Sequence, residues 1–326
     1  MEDDVLKKIL FIILSVILMY SVYLNLDVNK NIETATTDVI LDTATNIANI
    51  DNFKNIRIGD SKTSVISKLG SAQRIDTSEY GFKWYVYNSD LSKFVMIGIE
   101  NDIVVALYSN RLDNNEIDIS LNSNRESVRK KYTPLEYKKK GKTKYMINSN
   151  DQYDILDIGK NYITVFYDIH EDNRVCGYQI ISKKVESNLN GIYPNESKEL
   201  KESFEIQTKD LVNSERLKYN LKLLAYSEKA RSSSRKHSED MMLNDYFDHI
   251  NKENKTPFER MENEGIRYKN AGENIAAGQS SAIYAHHAWM NSLGHRKNIL
   301  GDYKYIGVGV IFGGYYNIYY TQNFYT

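Results

Sequence analysis

One apolar run near the N-terminus, residues 9–26 (ILFIILSVILMYSVYLNL), constrains the arrangement of the rest of the chain. It is apolar on every face and is about as long as a helix must be to cross a bilayer core of roughly 30 Å. Lys7 and Lys8 precede it, which predicts that the short N-terminal end stays in the cytoplasm. No small-residue cleavage site comes after it, which favours an uncleaved anchor over a signal peptide. The sequence therefore predicts a single-pass membrane protein, anchored by residues 1–26, with its bulk outside the cell.

The composition of the chain is that of ordinary globular protein. Its 326 residues are enough for two domains plus appendages, and 41% are hydrophobic and 26% charged. The net charge of −1 shows no basic excess, which argues against a nucleic-acid partner. The single cysteine, Cys176, cannot form an intramolecular disulfide, and its strand-like context predicts a small buried residue rather than a nucleophile. Stability must therefore come from packing.

The first half of the exported part divides into a tether and a repeated unit. Residues 27–52 are rich in Asn, Thr and Asp and too poor in apolar residues for a core. Residues 53–182 contain two units of about 60 residues, each opening with a helical pattern in which Val65 and Val128 are equivalent. Strand-like runs come next in both units: FKWYVYN at 82–88 matches KYMIN at 144–148, and DIVVALY at 102–108 matches NYITVFY at 161–167. We expect a small α+β domain.

Few residues of this repeated domain suggest chemistry. His170 lies in a polar turn and is expected to be solvated, and Trp84 is expected to lie in the core. The basic stretch 138–140 with Lys142 predicts a solvated hairpin tip; contact with an anionic lipid or wall polymer is the alternative.

Residues 183–204 turn polar and contain Gly191 and Pro194, which marks a linker before a second domain at 205–326. In that domain Thr208 is expected to cap a first helix, and a second helix is expected at 227–244. The domain closes with strands at 306–312 and 315–324, joined by a two-residue turn of paired glycines.

Five of the six histidines crowd into the stretch 237–295, where proton transfer or metal binding is therefore expected first. His237 shares a helix face with apolar residues, so it is either a buried neutral histidine held by a carbonyl or hydroxyl, or a functional residue. The adjacent His286 and His287 are expected at the surface of a helix that Gly294 ends. Glu273 either caps the following helix or faces His249.

Five short motifs in the last 120 residues or so carry a resemblance to a known family. They are YFDH at 246–249, GENIA at 272–276, GHRKNIL at 294–300, IGVGV at 306–310 and YYTQNF at 319–324. In this order they resemble the CAP superfamily of cysteine-rich secretory, antigen 5 and pathogenesis-related proteins, especially its bacterial (SCP-like) members. Residues 53–182 resemble the CAP-associated domain of some Gram-positive bacterial proteins. The resemblance implies an α+β chain that ends in an α-β-α sandwich.

The same resemblance implies a site. It places His249, Glu273 and His295 together in one central cavity. Eukaryotic members of the family often carry a further glutamate on the helix that bears the tryptophan. Three residues after Trp289 this chain has Ser292, so the full set is incomplete. Two histidines and a carboxylate are the ligands of some catalytic zinc sites, and zinc or calcium is the cofactor considered. The alternative is a hydrogen-bonded structural cluster.

Three functions remain open from the sequence. The first is an envelope protein that binds or organises a wall polymer, lipid or protein through the CAP cleft. The second is a divalent-metal-assisted hydrolase of peptidoglycan or peptide, with Glu273 as base or ligand and His249 and His295 as ligands. The third is a purely structural role. Serine or cysteine nucleophilic catalysis has no motif in the sequence.

Overall fold

The computed structural model describes residues 55–113 and 117–326, which belong to one compact unit beginning at Asp51. The predicted anchor at 1–26 and tether at 27–52 lie outside these residues. Within the described ranges, no helix is both long and apolar enough to cross a membrane.

The described residues form eight α-helices and thirteen strands. The helices are α1 (Lys62–Leu69), α2 (Arg125–Lys131), α3 (Lys183–Glu186), α4 (Lys198–Lys218), α5 (Glu228–Leu243), α6 (Pro257–Asn263), α7 (Ala282–Met290) and α8 (Leu293–Ile299). The strands of the first half are β1 (Arg74–Thr77), β2 (Lys83–Tyr87), β3 (Val95–Glu100), β4 (Ile103–Ser109), β5 (Tyr137–Lys140), β6 (Thr143–Met146), β7 (Tyr153–Ile158), β8 (Asn161–Asp168) and β9 (Arg174–Ser182). Those of the second half are β10 (Ala225–Tyr226), β11 (Ala271–Ala277), β12 (Tyr305–Phe312) and β13 (Ile318–Tyr325).

The first half forms a seven-stranded antiparallel sheet in the order β1-β2-β3-β4-β9-β8-β7. Its two halves meet where β4 pairs with β9. The residues that cap α1 and α2, Ser61 and Asn124, form isolated bridges to the first residues of β4 and β9. Irregular register also recurs, between β3 and β4 and between β8 and β9. These features make β2, β3 and β4 equivalent to β7, β8 and β9.

This equivalence corrects the strand matches expected from the sequence. The run 102–108 corresponds to β9, and the run 161–167 corresponds instead to β3. The segment KYMIN does not belong to the large sheet, because most of it forms β6, which pairs only with β5. β-Branched and aromatic residues alternate in a similar way in all these strands, so the sequence pattern alone could not distinguish the correct strand equivalence from the incorrect one.

The β5–β6 hairpin turns at Gly141 and Lys142, but its lysines are not all solvated as expected. Lys138 and Lys140 place their ammonium groups 3.1 and 3.3 Å from Glu186 Oε1, and both side chains are only 14% exposed. The two lysines thus attach the hairpin to α3. The prediction for Trp84 is confirmed, because its side chain is fully buried. His170 is exposed as predicted, but its Nε2 also hydrogen-bonds with the Asn291 carbonyl at 3.0 Å.

Helix α4 begins inside the stretch expected to be a linker. Ser197 is its N-cap, and the Ser197 side chain accepts a hydrogen bond from the Leu200 amide. The predicted cap, Thr208, is wrong: it lies within α4, fully buried, and its hydroxyl donates to the Phe204 carbonyl at 2.7 Å. A threonine hydroxyl can make this bond inside a helix, so its presence does not mark a helix start.

The second half is built on a four-stranded sheet, β10-β12-β13-β11. Helix α5 lies on one face so closely that a Cβ at Gly307 or Gly309 would be 2.1 Å from a backbone nitrogen of α5. The loop between β12 and β13 spans residues 313–317, because Phe312 pairs with Ile318. The predicted two-residue glycine turn is therefore too short; Asn317, at φ 66°, supplies a third left-handed residue.

Helices α4 and α7 lie between the two sheets and join their cores. One continuous hydrophobic cluster includes Trp84 and Phe166 from the large sheet, Leu211 and Ala285 from these helices, and Val308 from the small sheet. The compact unit therefore has its own complete core, which is the requirement for a chain segment to fold by itself.

The adjacent His286 and His287 lie in this interface, so their predicted surface position is wrong. His287 stacks on Phe166 with ring centroids 3.9 Å apart, and its Nε2 hydrogen-bonds with the Tyr108 hydroxyl at 3.1 Å. His286 is fully buried, and neither of its ring nitrogens has a hydrogen-bond partner among the described residues. Burial lowers the pKa of His286 to about 4 and that of His287 well below its ordinary value. Both rings are neutral at pH 7.

Replacing His286 with leucine is expected to raise the free energy of unfolding at pH 7.5 by about 1 kcal/mol. Two buried nitrogens without partners cost stability, and an apolar side chain of similar size removes that cost. Thermal unfolding of the variant and of the parent protein checks this, with His170→Leu as the exposed control. A clear loss of stability in the His286 variant would show that its ring nitrogens have partners in solution.

Candidate functional site

Glu273 is the centre of the candidate site. It lies in β11, directly opposite Asn323 of β13, and its side chain is only 1% exposed. One carboxylate oxygen, Oε1, accepts a hydrogen bond from His249 Nδ1 at 2.9 Å. The other, Oε2, accepts from Arg260 Nη2 at 2.7 Å. Of the two interpretations from the sequence, the structure supports the one in which Glu273 faces His249.

Arg260 is the residue that sequence reasoning missed. It lies in α6, whose start is fixed by a capping box between Thr256 and Glu259 and by Pro257 in the first turn. Its guanidinium also donates to the backbone carbonyls of His249, at 2.8 Å, and Lys255, at 2.9 Å. Arg260 therefore holds both the buried carboxylate and the loop that carries His249. The available signal was its position beside Met261 on the inner face of a well-capped short helix.

Two opposing effects set the pKa of Glu273. Burial raises this pKa. The hydrogen bond from His249 and the nearby His237 and Arg260 lower it by more than burial raises it, so the pKa of Glu273 lies below its ordinary value. The group is therefore a carboxylate at neutral pH and acts as a hydrogen-bond acceptor. Because it accepts from Nδ1 of His249, a neutral His249 carries its lone pair on Nε2. The His249 side chain is 38% exposed, so this acceptor lies at the rim of the site.

His237 lies beneath this pair as a buried neutral histidine held by a backbone carbonyl, as one of the two interpretations expects. Its Nε2 donates to the Asp248 carbonyl at 3.0 Å and lies 3.8 Å from Glu273 Oε1, while Nδ1 has no partner among the described residues. Burial is the main reason that its pKa is lowered to about 4. Through Asp248, His237 holds the corner on which His249 sits.

His295 lies in α8, the helix that contacts β11 through Asn274. Helix α7 ends at Met290 and Gly294 lies inside α8, so the prediction that Gly294 ends the tryptophan-bearing helix is wrong. The His295 carbonyl accepts from Asn274 Nδ2 at 3.2 Å, which holds α8 against the sheet edge. Burial, and to a smaller degree the charge of His249, lower the pKa of His295 to about 4.

The structure joins some of the predicted site residues in one hydrogen-bond network and leaves others outside it. His249, Glu273, Arg260 and His237 form one network, and among the described residues no hydrogen bond joins the His295 ring to it. Ser292, in the place of the usual second glutamate, is half-buried and is the N-cap of α8 without a side-chain capping bond.

A zinc or calcium ion does not fit this arrangement. Among the residues that the structure describes, no three His, Cys, Asp or Glu side chains are grouped so that they could hold a metal ion. Both carboxylate oxygens of Glu273 already accept hydrogen bonds, from His249 and from Arg260. The positive charge of the Arg260 guanidinium would repel a cation at this carboxylate. The site offers instead an imidazole at His249 whose orientation Glu273 fixes, and a neutral imidazole at His295.

Two family models match the chain in succession. The model of the CAP-associated N-terminal domain matches residues 58–192, and that of the cysteine-rich secretory protein family matches residues 209–324.

Two relatives from Bacillus subtilis (strain 168) are similar to the chain. The uncharacterized membrane protein YlbC is 29% identical over 287 residues, covering 82% of this chain and 82% of that protein. The uncharacterized protein YkwD is 45% identical over 113 residues, covering 34% of this chain and 44% of that protein.

Two crystal structures share the arrangement of both halves. An extracellular protein containing a SCP domain from Bacillus anthracis str. Ames has a TM-score of 0.70 and 27% identity, covering 92% of this chain and 99% of that one. A cysteine-rich secretory protein (SAV1118) from Staphylococcus aureus has a TM-score of 0.67 and 18% identity, covering 82% of this chain and 91% of that one, and shows the fold alone.

Proposed function

This chain belongs to the CAP superfamily, with a CAP-associated domain ahead of its CAP domain, and on that premise we propose that it is an extracytoplasmic, membrane-anchored protein that binds an envelope component in the CAP cleft. The apolar run at 9–26 supports the anchor. The name of the relative YlbC, a membrane protein, agrees with it.

The observation that carries this proposal is the fixed orientation of His249. Arg260 holds the Glu273 carboxylate, and the carboxylate holds Nδ1–H of His249, so Nε2 is the ring nitrogen left for a ligand. The pKa of His295 is lowered to about 4, so this second imidazole is neutral at pH 7. Imidazole nitrogens that accept hydrogen bonds suit a ligand that brings hydroxyl or amide N–H donors, which sugars and peptides of an envelope polymer both carry.

Binding without reaction is favoured over hydrolysis for two chemical reasons. The metal that a hydrolase would use does not fit the donors as they are arranged. The thiol of Cys176 lies beside His287 in the interface between the two halves, and burial raises its pKa to about 12. Such a thiol is not a nucleophile at neutral pH.

Binding is tested by co-sedimentation of the compact unit, residues 51–326, with purified wall sacculi. We expect His249→Ala and His295→Ala each to weaken binding about tenfold, the effect of losing one good ligand hydrogen bond of about 1.4 kcal/mol. The matched control is His170→Ala, which removes an exposed histidine from the other domain and is expected to bind as the parent does.

Two results of this assay would contradict the proposal. Unchanged binding by both cleft variants would place the contact elsewhere on the protein. Release of soluble wall fragments by the parent, lost in the variants, would indicate a hydrolase in place of a binding protein.

A further inference from the structure

We propose that the outer face of the β5–β6 hairpin is a second membrane contact, which binds the phosphate headgroups of an anionic bilayer. The proposal concerns the CAP-associated domain and does not depend on the ligand of the CAP cleft.

The strand register assigns the hairpin's side chains to two faces. Residues that pair directly in an antiparallel hairpin point to the same side. Lys139 is paired with Lys144, and Tyr137 with Met146, so these four share one face. Lys138 and Lys140 alternate to the other face, where both contact Glu186. The inner lysines therefore have a structural role, and the outer ones do not share it.

The outer face carries a like-charge pair that the rest of the protein leaves uncompensated. Lys139 and Lys144 are exposed, and Lys142 is exposed at the turn between them. Within the described ranges, no carboxylate lies at ion-pair distance from any of the three. Lys144 Nζ instead lies 4.2 Å from the centre of the Tyr137 ring. Like charges opposite each other destabilise a hairpin, so an anionic partner is the natural compensation.

The outer face is positive although the chain as a whole, with a net charge of −1, is not. Its charge comes from Lys139, Lys142 and Lys144, since the inner lysines are compensated by Glu186. Such a local excess attracts an anionic surface over about one Debye length, near 8 Å at physiological salt.

The apolar side chain on the same face favours a bilayer over a soluble polyanion. Met146 is 61% exposed, is paired with Tyr137 and lies two residues from Lys144. Lysines next to an exposed apolar side chain and a tyrosine match the interface of a membrane, where the headgroups bind charge and the acyl boundary takes up apolar surface. A soluble polyphosphate would use the lysines alone.

The test is co-sedimentation of the compact unit, residues 51–326, with vesicles. Vesicles of phosphatidylcholine containing 30% phosphatidylglycerol, about the anionic content that such a surface needs, are compared with pure phosphatidylcholine. We expect binding to the anionic vesicles only. The triple variant Lys139→Gln, Lys142→Gln, Lys144→Gln is expected to bind about 100-fold more weakly, since each lysine near an anionic surface contributes about 1 kcal/mol, or about fivefold.

The matched control removes the same charge from the other domain. Lys222→Gln, Lys269→Gln, Lys304→Gln changes three exposed lysines of the CAP domain and is expected to bind within about twofold of the parent. Met146→Ser is expected to weaken vesicle binding about threefold, because it removes the apolar part of the contact.

Two outcomes would overturn the proposal. The first is vesicle binding by the hairpin variant that equals that of its control. The second is unchanged vesicle binding by Met146→Ser together with equally tight binding of soluble polyphosphate, which would identify a soluble polyanion as the partner. Melting temperatures of all variants are measured in parallel, and they should agree because every changed side chain is exposed.

Discussion

Glu273→Gln is expected to lower the free energy of unfolding by about 3 kcal/mol or more. The substitution keeps the size of the side chain but removes the negative charge that faces the Arg260 guanidinium. The Arg260 side chain is only 8% exposed, so its charge would be left in a poorly solvated place without a counter-ion. Breaking a buried ion pair from one side typically costs about 3 to 5 kcal/mol. Urea unfolding of the two proteins measures the difference.

A double-mutant cycle separates the interaction energy between Glu273 and Arg260 from any general loss of stability that the substitutions cause. Glu273→Gln combined with Arg260→Met should cost clearly less than the two single changes added together, because neither partner is then left charged and alone. Glu253→Gln is the matched control: Glu253 is 70% exposed and pairs with Lys255 at 2.7 Å, so its loss should cost less than about 0.5 kcal/mol. A cost for Glu273→Gln as small as that of the control would show that the buried pair does not form.

The second large effect is expected on acidification. In the folded chain His237, His286 and His295 have pKa values of about 4 against an ordinary value of 6.5, and burial is the first cause in each case. Between these values the unfolded chain binds more protons than the folded chain, so the free energy of unfolding falls as the pH falls from about 6.5 to 4. His287, whose pKa also lies well below its ordinary value, acts in the same direction. Glu79, whose pKa burial raises to about 7, acts in the opposite direction, so the histidines outnumber it four to one.

Urea unfolding at a series of pH values from 7.5 to 4.5 checks this expectation. His286→Leu should show a shallower decline, because one of the four proton-binding differences that come from histidines is gone. A free energy of unfolding that stays constant down to pH 5 would show that these rings are solvated or already charged.

The sequence predicted those site residues that lie within recognisable family motifs. The motifs led to His249 and Glu273, which the structure joins by a hydrogen bond, and to His295, whose backbone carbonyl contacts the neighbouring Asn274. Arg260 escaped because a single arginine on a helix is usually solvated, and only the fold shows that α6 points it at a buried carboxylate. A metal site, one of the two alternatives drawn from the residue types, depended on free carboxylate oxygens, and the sequence could not show that Arg260 and His249 occupy them.

The fold was least predictable where two domains meet. His286 and His287 look like surface residues because a sequence pattern reports amphipathic character relative to one core. It cannot report that a second sheet covers the other side of α7. The same limit explains why Thr208 was predicted to cap the helix. The polar stretch before it was interpreted as a linker, although it contains Leu200 and Phe204. In the structure both side chains are buried against elements of the other half.

The shared layer of α4 and α7 also bears on how such a chain can evolve. Family models and sequence composition both divide the protein near residue 200, where a recombination event would seem harmless. A different domain fused at this point would have to supply a sheet that packs against α4 and α7. That sheet would also need a glycine where Gly177 now leaves space for the His287 ring. In this lineage the two domains should therefore be inherited as a pair, and substitutions on one side of the layer should be matched by changes on the other.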